Sequence, residues 1–472
     1  MRIGGVYTSS ESEQSFSVIN PAYNTVYESV PLSSPEDVSH AVENAQDAFA
    51  KWSAEEPVTR AKVLFHAAER VRSESHDLAS LLTHEQGKPL RESINEIQGF
   101  ARSLEYYASI CSHVQGDYSY SKAYGHSFVV KHPIGVCAAI IPWNLPALIM
   151  SWKVGSALAA GCTVVLKPAS TAPLTCLRLG EILDNSGLTP GALNIITGPG
   201  AVVGEALATH PDISAVSFTG EADTGKRLAQ KISHNKRLTL ELGGSDPMIV
   251  CADAPIKQAV AGALAGRFFN CGQTCVAVKR LFIDASIYDS FLQELIAAMQ
   301  HIVPGDGMNP KTTMGPLNNL AQKELVSRQV QETIDAKQGS IRYLGEVSKD
   351  ADPSGFFLPP MLLTDMSPDA PIMQQEVFGP VLPIMPVTSI DEAIDLANGT
   401  RYGLGASIWT TRLETVHAIA PMLHSGIVWV NQHLKVPPEI PFGGVKESGF
   451  GRENGLRALD HFLEEKSVLI KL

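Results

Sequence analysis

The chain has 472 residues, 44% of them hydrophobic and 18% charged, with a formal net charge of −12. That length exceeds one ordinary hydrophobic core, so two or three packed units are expected, and the composition is that of a globular protein, not a disordered one. The acidic balance excludes a nucleic-acid binder, because nothing neutralises phosphates as a basic groove does.

The opening MRIGGVYTSSESEQ has no apolar core of the length a signal peptide needs. The longest apolar stretch, GVCAAIIPWNLPALIMSW, is broken by two prolines, an Asn and a Gly, and reads as buried core and not as a membrane span. Seven cysteines are thinly scattered, at 111, 137, 162, 176, 251, 271 and 275. An odd, sparse count without a secretory signal fits reduced thiols and a cytoplasmic location. Neither a CxxC pair nor an HExxH helix is present, so no metal site is expected.

Along the chain, the first hundred or so residues read as mostly helical. SSPEDVSHAVENAQDAFAKW offers Ser34 as N-cap and Pro35 at the first helical position, followed by apolar residues at helical spacing. Two more helices follow, with Gly87 as a stop. Residues 117–132 read as a projecting strand pair. From 134, short apolar runs alternate with helices: GVCAAII, a helix at about 147–160, CTVVLK, a helix from 174, ALNIIT, a helix from 201, AVSFTG, a helix from 223, and LTLELGG. That alternation predicts a parallel sheet wound by helices. A second α/β series runs from DPMIVC to SGIVWV, with helices at about 255–269, 285–301 and 389–398. A Gly-rich loop, a helix and the strand KSVLIKL close the chain.

Several positions carry potential chemistry. GEADTGKR at 220–227 has the glycine spacing of a phosphate loop, but Arg227 stands where a Ser or Thr would hold magnesium. Its strand-to-helix placement suits either a tight turn or backbone N–H groups facing a pyrophosphate. Lys167 ends a buried strand, where open α/β sheets place ligands, or it is a snorkelling surface lysine. Glu241 ends another apolar strand, as a satisfied rim residue or as a desolvated general base. Asn144, in a loop fixed by two prolines, is a loop cap or an oxyanion donor. In FNCGQTC (269–275), Cys275 follows a glycine-bearing turn, so a thiol, a base and an amide donor are all available.

Together these motifs resemble the NAD(P)-dependent aldehyde dehydrogenase superfamily. The ordered blocks are PWN (142–144), KPAS (167–170), FTG with TG (218–225), LELGG (240–244), FNCGQTC (269–275), EVFGP (376–380) and PFGGVKESGFG (441–451). The resemblance implies an α/β fold with two doubly wound parallel-sheet domains and a small β element for oligomerisation. The cofactor-binding domain would comprise residues 1–116 and 133–243, and the catalytic domain 244–448. Residues 117–132 and 456–472 would bridge subunits of a homodimer or homotetramer.

The resemblance also implies roles. Cys275 would be the nucleophile, Glu241 the base for the deacylating water, and Asn144, with the Cys275 N–H, the oxyanion hole. Cys271 would pack nearby without taking part. NAD or NADP would lie along Ile140, Ile141, Pro142, Trp143, Lys167 and Ser170, then Gly200, Gly204, Phe218, Thr219, Gly220, Glu221, Gly225 and Leu242. Glu376 and Phe378 would position its nicotinamide end. The implied substrate is a small-molecule aldehyde, oxidised to the acid, with no nucleic-acid or membrane partner.

Two residues depart from the family pattern. Glu221 stands where a Ser often meets the pyrophosphate, and a carboxylate there repels phosphate unless it turns outward. Ser170 stands where strict NAD users carry Glu, so NADP is allowed, with Ser170 free to donate to its 2′-phosphate. Two rival readings remain: CoA-acylating relatives generally lack the Glu present here as 241, and catalytically silent crystallin-type relatives need not keep Cys275, Glu241 and Asn144 together. Lys435 or His433 could pair with a distal substrate carboxylate, although a lysine in a loop is more often solvated, and Leu145, Met150 and Trp152 fit an apolar or aromatic aldehyde about as well.

Overall fold

The computed structural model describes residues 1–471, so of the closing KSVLIKL only Leu472 lies outside the described residues. Near the N-terminus, helices span Pro35–Trp52, Pro57–Ser73, Ser75–Gln86 and Leu90–Ile110. Ser34 and Asp37 form a reciprocal capping box on the first of these, and Gly87 ends the third in a left-handed conformation with φ 102°. A Cβ at Gly87 would come within 2.8 Å of Pro21, so the stop also depends on close packing.

The mostly helical expectation misses four short strands, Arg2–Ile3, Val6–Tyr7, Ser15–Asn20 and Thr25–Pro31. Val6–Tyr7 is exposed throughout, and Thr25–Pro31 is exposed along most of its length, so neither has a period-two apolar signal.

The first large sheet has five parallel strands in the spatial order Arg237–Glu241, Ala215–Thr219, Val136–Ile140, Thr163–Lys167 and Leu193–Ile195. The chain winds outward from Val136–Ile140 in one direction and then crosses back to build the other side. This reversal opens a crevice at the carboxyl ends of the strands, where Ile140, Lys167, Thr219 and Glu241 all lie. Antiparallel pieces close both edges: Arg2–Ile3 with Val6–Tyr7 on one side, Gly449–Phe450 on the other.

The second sheet runs Ser340–Leu344, Met361–Thr364, Val381–Val387, Val278–Asp284, Asp246–Val250, Gly405–Trp409 and Ile427–Val430, parallel except for the first strand. Its helices include Ile256–Phe268, Tyr288–Met299 and Ile390–Asn398, close to the expected spans. Helix Leu320–Asp335 was not expected: it buries only Val326, Gln329, Val330 and Thr333, too thin an apolar stripe to read from sequence.

One junction positions the site. Glu241 ends a strand of the first sheet and Asp246 begins a strand of the second. Asp246 pairs with Val278, which lies three residues after Cys275. The strand end that carries Glu241 and the loop that carries Cys275 therefore meet where the two sheets abut.

A third, antiparallel sheet joins Tyr118–Ser121, Gly125–Pro133 and Leu463–Ile470. The last strand starts earlier than KSVLIKL, and the helix expected before it is a 3-10 stretch, Leu456–Phe462, which buries Ala458, Leu459 and Phe462. Among the described residues no helix is long and apolar enough to cross a membrane.

Candidate active site

Helix Ile256–Phe268 ends in a turn that contains Asn270 (φ 50°), Cys271 (φ 58°) and Gly272 (φ 74°). Three successive left-handed residues are costly and need support from their surroundings. A Cβ at Gly272 would meet the Gly379 carbonyl oxygen at 2.3 Å, so only glycine fits there. The turn buries Cys271, whereas Cys275 is half-buried and lines a cavity.

All seven cysteines are free, and the described residues contain no cluster of metal-ligating side chains. Burial pushes the Cys275 thiol up to about 12; Lys279 opposes this, and the carboxylates of Asp246, Glu376 and Glu241 add to it. Burial raises the Cys271 thiol further, with Glu92 adding to the effect.

Asn144 is buried at the entry to the helical segment Pro146–Ala160, which contains a π-turn over Ser151–Gly155. Its carbonyl accepts from Asn270 Nδ2 at 2.8 Å and from Lys88 Nζ at 2.6 Å. The Lys88 ammonium is paired with Glu96, whose other oxygen accepts from the N–H groups of Ala147 and Leu148. Glu96 thus caps the segment that begins just after Asn144. Neither the Asn144 side-chain amide nor the Cys275 backbone N–H donates to a protein acceptor among the described residues.

Glu241 is buried at the end of its strand, paired in register with Gly449 of the Gly-rich loop. Among the described residues no side chain hydrogen-bonds either carboxylate oxygen, and the backbone N–H of Gly444 is the polar group that bears on it. Burial pushes its pKa well up, reinforced by the neighbouring Glu453 carboxylate and opposed by Lys153 and Arg452. Glu453 is itself paired with Lys153, and Ser217 joins both.

At the crevice, Lys167 is buried with no ion-pair partner among the described residues, and desolvation lowers its pKa to about 8. Ideal Cβ atoms on Gly200 and Gly204 would lie 3.8 and 3.9 Å from its side chain, so these glycines keep its flank open. Ile141 N–H donates to the Lys167 carbonyl, and Pro142 and Trp143 continue at the rim. Gly220 N–H donates to the Glu241 carbonyl, while Thr219 Oγ1 has no partner. A Cβ on Gly220 would strike the Phe218 ring at 2.7 Å, and one on Gly225 would strike Leu242 at 2.4 Å.

Glu221 is exposed and accepts from the Thr224 hydroxyl, in line with an outward-turned carboxylate. Ser170 differs from expectation: its hydroxyl donates to the Gly198 carbonyl at 2.7 Å, so that proton is not available to a 2′-phosphate. Glu376 Oε1 accepts from Lys279 and from Gly244 N–H, and Phe378 packs edge-on against Trp143.

The cavity reaching Cys275 has a volume of about 1470 Å³. Leu148, Trp152, Phe269, Leu434, Val436 and Phe442 give its wall an apolar stretch that belongs to the same hydrophobic cluster as Cys275. The His433 candidate fails as a cation. Its Nε2 sits 2.7 Å from the Val276 carbonyl, and burial lowers its pKa to about 4, which keeps it neutral. Lys435 is exposed, at the solvent side of the same loop.

Sequence reasoning missed Lys88, Glu96, Lys153, Asn270, Lys279 and Glu453. Lys153 had a signal, because it is a lone cation inside the apolar run ALIMSWKVGSALAAG. The others support the site through long-range contacts that no local pattern records.

Residues 7–468 match the model of the aldehyde dehydrogenase family. The NADP/NAD-dependent aldehyde dehydrogenase PuuC of Escherichia coli is 37% identical, with 100% of this chain and 95% of the relative covered. Phenylacetaldehyde dehydrogenase of Pseudomonas fluorescens is 38% identical over 100% of this chain and 95% of its own length. Among solved structures, betaine aldehyde dehydrogenase of Staphylococcus aureus in complex with NAD+ superposes with a TM-score of 0.96 at 33% identity, covering 99% of this chain and 94% of that one. The chain belongs to the aldehyde dehydrogenase family.

Proposed function

We propose that this protein oxidises an aldehyde to its carboxylic acid with NAD or NADP, through a thioester on Cys275 that water hydrolyses with Glu241 as base. The observation that carries this reading is the buried Glu241 carboxylate, without a side-chain partner among the described residues and within electrostatic reach of the half-buried Cys275 thiol. A structural carboxylate in such a place would be hydrogen-bonded. Desolvation instead holds Glu241 as a strong proton acceptor, as general-base chemistry requires.

The crevice suits a dinucleotide. Lys167 brings an unpaired ammonium and Gly200 and Gly204 leave space beside it, while Thr219 Oγ1 and Glu376 Oε2 have no protein partner to lose. Lys167 and Ser170 would face the adenosine ribose, Gly220 and Gly225 the pyrophosphate, and Glu376 and Phe378 the nicotinamide end. When bound, the cofactor supplies an acceptor for the electron pair that converts a thiohemiacetal into a thioester. Relatives that carry NAD+ or a dual-cofactor name support the assignment.

This chain's own residues do the rest. Cys275 gives up its proton to solvent water in the cavity and its Sγ bonds to the aldehyde carbon; the resulting oxyanion is held by Asn144 Nδ2 and the Cys275 N–H, both without protein acceptors among the described residues. Glu241 then takes a proton from the water that attacks the thioester carbonyl, releasing the acid and restoring the thiol. The apolar stretch of the cavity wall favours an aldehyde with an apolar or aromatic body.

Residues 1–116 with 133–243 form the cofactor domain and 244–448 the catalytic domain, and the three-stranded sheet joins subunits into a dimer or tetramer.

A panel of short aliphatic, semialdehyde and aromatic aldehydes, each with NAD and with NADP, tests the function through the absorbance of the reduced nicotinamide. Reduced cofactor without added CoA is expected. No turnover with any aldehyde would favour a silent relative, and turnover only with CoA would favour the acylating class.

A further inference from the structure

Lys279 lies four residues after Cys275, at the second position of strand Val278–Asp284. Its side chain is fully buried, which an ammonium tolerates only when its protons are taken up. They are: Nζ donates to the Cys275 carbonyl at 2.6 Å, the Thr274 carbonyl at 3.0 Å and Glu376 Oε1 at 2.9 Å. The same Glu376 oxygen also accepts from Gly244 N–H at 3.1 Å, whereas Oε2 has no protein partner and points toward the Cα of Gly243. The ammonium also lies 5.6 Å from the centroid of Phe378.

We propose that Lys279 is a positioning residue that ties the backbone of the nucleophile-bearing loop to the carboxylate that meets the cofactor, holding one Glu376 oxygen and leaving the other for a ribose hydroxyl. The ribose part rests on the role proposed above for Glu376; the tie to Cys275 does not.

The tie is electrostatic as well as mechanical. Three carboxylates bear on the thiol, those of Asp246, Glu376 and Glu241, and Lys279 is the cation set against them. Asp246 is buried, and desolvation pushes its carboxyl up to about 8, so near neutral pH it bears on the thiol mainly as the neutral acid. Arg280 points the other way, onto the carbonyls of Ser245, Leu396 and Ala397. His433 is neutral against the Val276 carbonyl, and Lys153 and Arg452 act on Glu241. Removing the ammonium therefore leaves Cys275 facing the uncompensated Glu376 carboxylate, whereas removing the Glu376 charge frees the ammonium to favour the thiolate. The two substitutions should act in opposite directions, which a general loosening of the fold does not produce.

The test is the rate at which iodoacetamide alkylates Cys275 in the cofactor-free protein, with the site assigned by mass spectrometry; the other six cysteines are buried. A shift of about one pKa unit changes the thiolate population about tenfold, and the altered nucleophilicity returns part of this, leaving a net change of about threefold. Lys279→Met is expected to slow alkylation by about that factor, Glu376→Gln to speed it, and Lys279→Arg to fall between wild type and Lys279→Met. Lys279→Met should also raise the cofactor KM. If both substitutions slow alkylation, or neither changes it, the proposal is overturned. If Lys279→Met does not fold, the direction of the Glu376→Gln effect decides alone. Unchanged cofactor affinity in Glu376→Gln, with alkylation accelerated, would remove the ribose role and leave the tie to Cys275 standing.

Discussion

Asn270 Nδ2 lies 2.8 Å from the carbonyl oxygen of Asn144, which joins the turn before Cys275 to the loop that carries Asn144 across 126 residues of sequence. Asn270 is itself fixed on every side. Its N–H donates to Glu92, its Oδ1 accepts from Gln86, and its carbonyl accepts from Gln273. Its left-handed φ of 50° is one that Asn tolerates better than most residues. Asn270→Ala should therefore loosen both loops together and lower kcat by roughly a hundredfold, the cost of about 1 Å of misplacement at a reacting centre. Steady-state kinetics on a variant shown to be folded by circular dichroism would check this; a kcat within threefold of wild type would contradict it.

The two cysteines of the turn should separate cleanly. Cys275→Ala is expected to abolish dehydrogenase activity while cofactor still binds, because only this thiol lines the cavity. Cys271 is buried and packs in the core of the second sheet, so Cys271→Ala should cost some thermal stability and leave most of the activity. Cofactor binding by fluorescence, with activity on the same preparations, distinguishes the two. Equal loss of activity from both substitutions would make the pair a functional unit.

Cofactor choice should depend on pH. Desolvation lowers Lys167 to about 8, so its ammonium is present below that pH and lost above it. A 2′-phosphate gains from the charged form, and binding it draws the pKa upward. The KM for NADP should therefore rise relative to that for NAD as the pH passes above about 8, and Lys167→Met should abolish that trend. Ser170→Glu should lower kcat/KM for NADP much more than for NAD through charge repulsion, because the Ser170 proton already belongs to Gly198. Equal effects on both cofactors would remove position 170 from the 2′ contact.

The three-stranded sheet leaves Tyr118, Tyr120, Leu469 and Ile470 exposed, each by 41% or more. Uncovered edge strands with such side chains invite pairing with another chain. A dimer or tetramer is expected by light scattering at micromolar protein, and Leu469→Lys should weaken it. A wild-type monomer would contradict the assignment of this sheet to assembly.

How much was legible in the sequence follows the range of the forces involved. Strands such as Val136–Ile140 and Thr163–Lys167 were readable because they are buried on both faces and carry nearly continuous apolar runs. Ser34 and Gly87 were readable because capping is local. The exposed strand Val6–Tyr7 and the thin stripe of Leu320–Asp335 gave no such signal. At the site, residue types and spacing picked out Cys275, Glu241 and Asn144, but Lys88, Asn270 and Lys279 act through contacts set by tertiary packing. Ser170 shows the limit from the other side: its identity was legible, its hydrogen bond to Gly198 was not.

The central claim is that Glu241 serves the water step and not the steps before it. Glu241→Gln keeps the size of the side chain and removes its basicity, so the acyl group should form on Cys275 and remain there. The direct measurement is a rapid-quench single turnover of this variant with aldehyde and cofactor, followed by mass spectrometry of the Cys275 peptide. The account predicts about one equivalent of reduced cofactor per site, an acyl mass on Cys275 and negligible steady turnover. Absence of the burst, or a burst that leaves Cys275 unmodified, would contradict it.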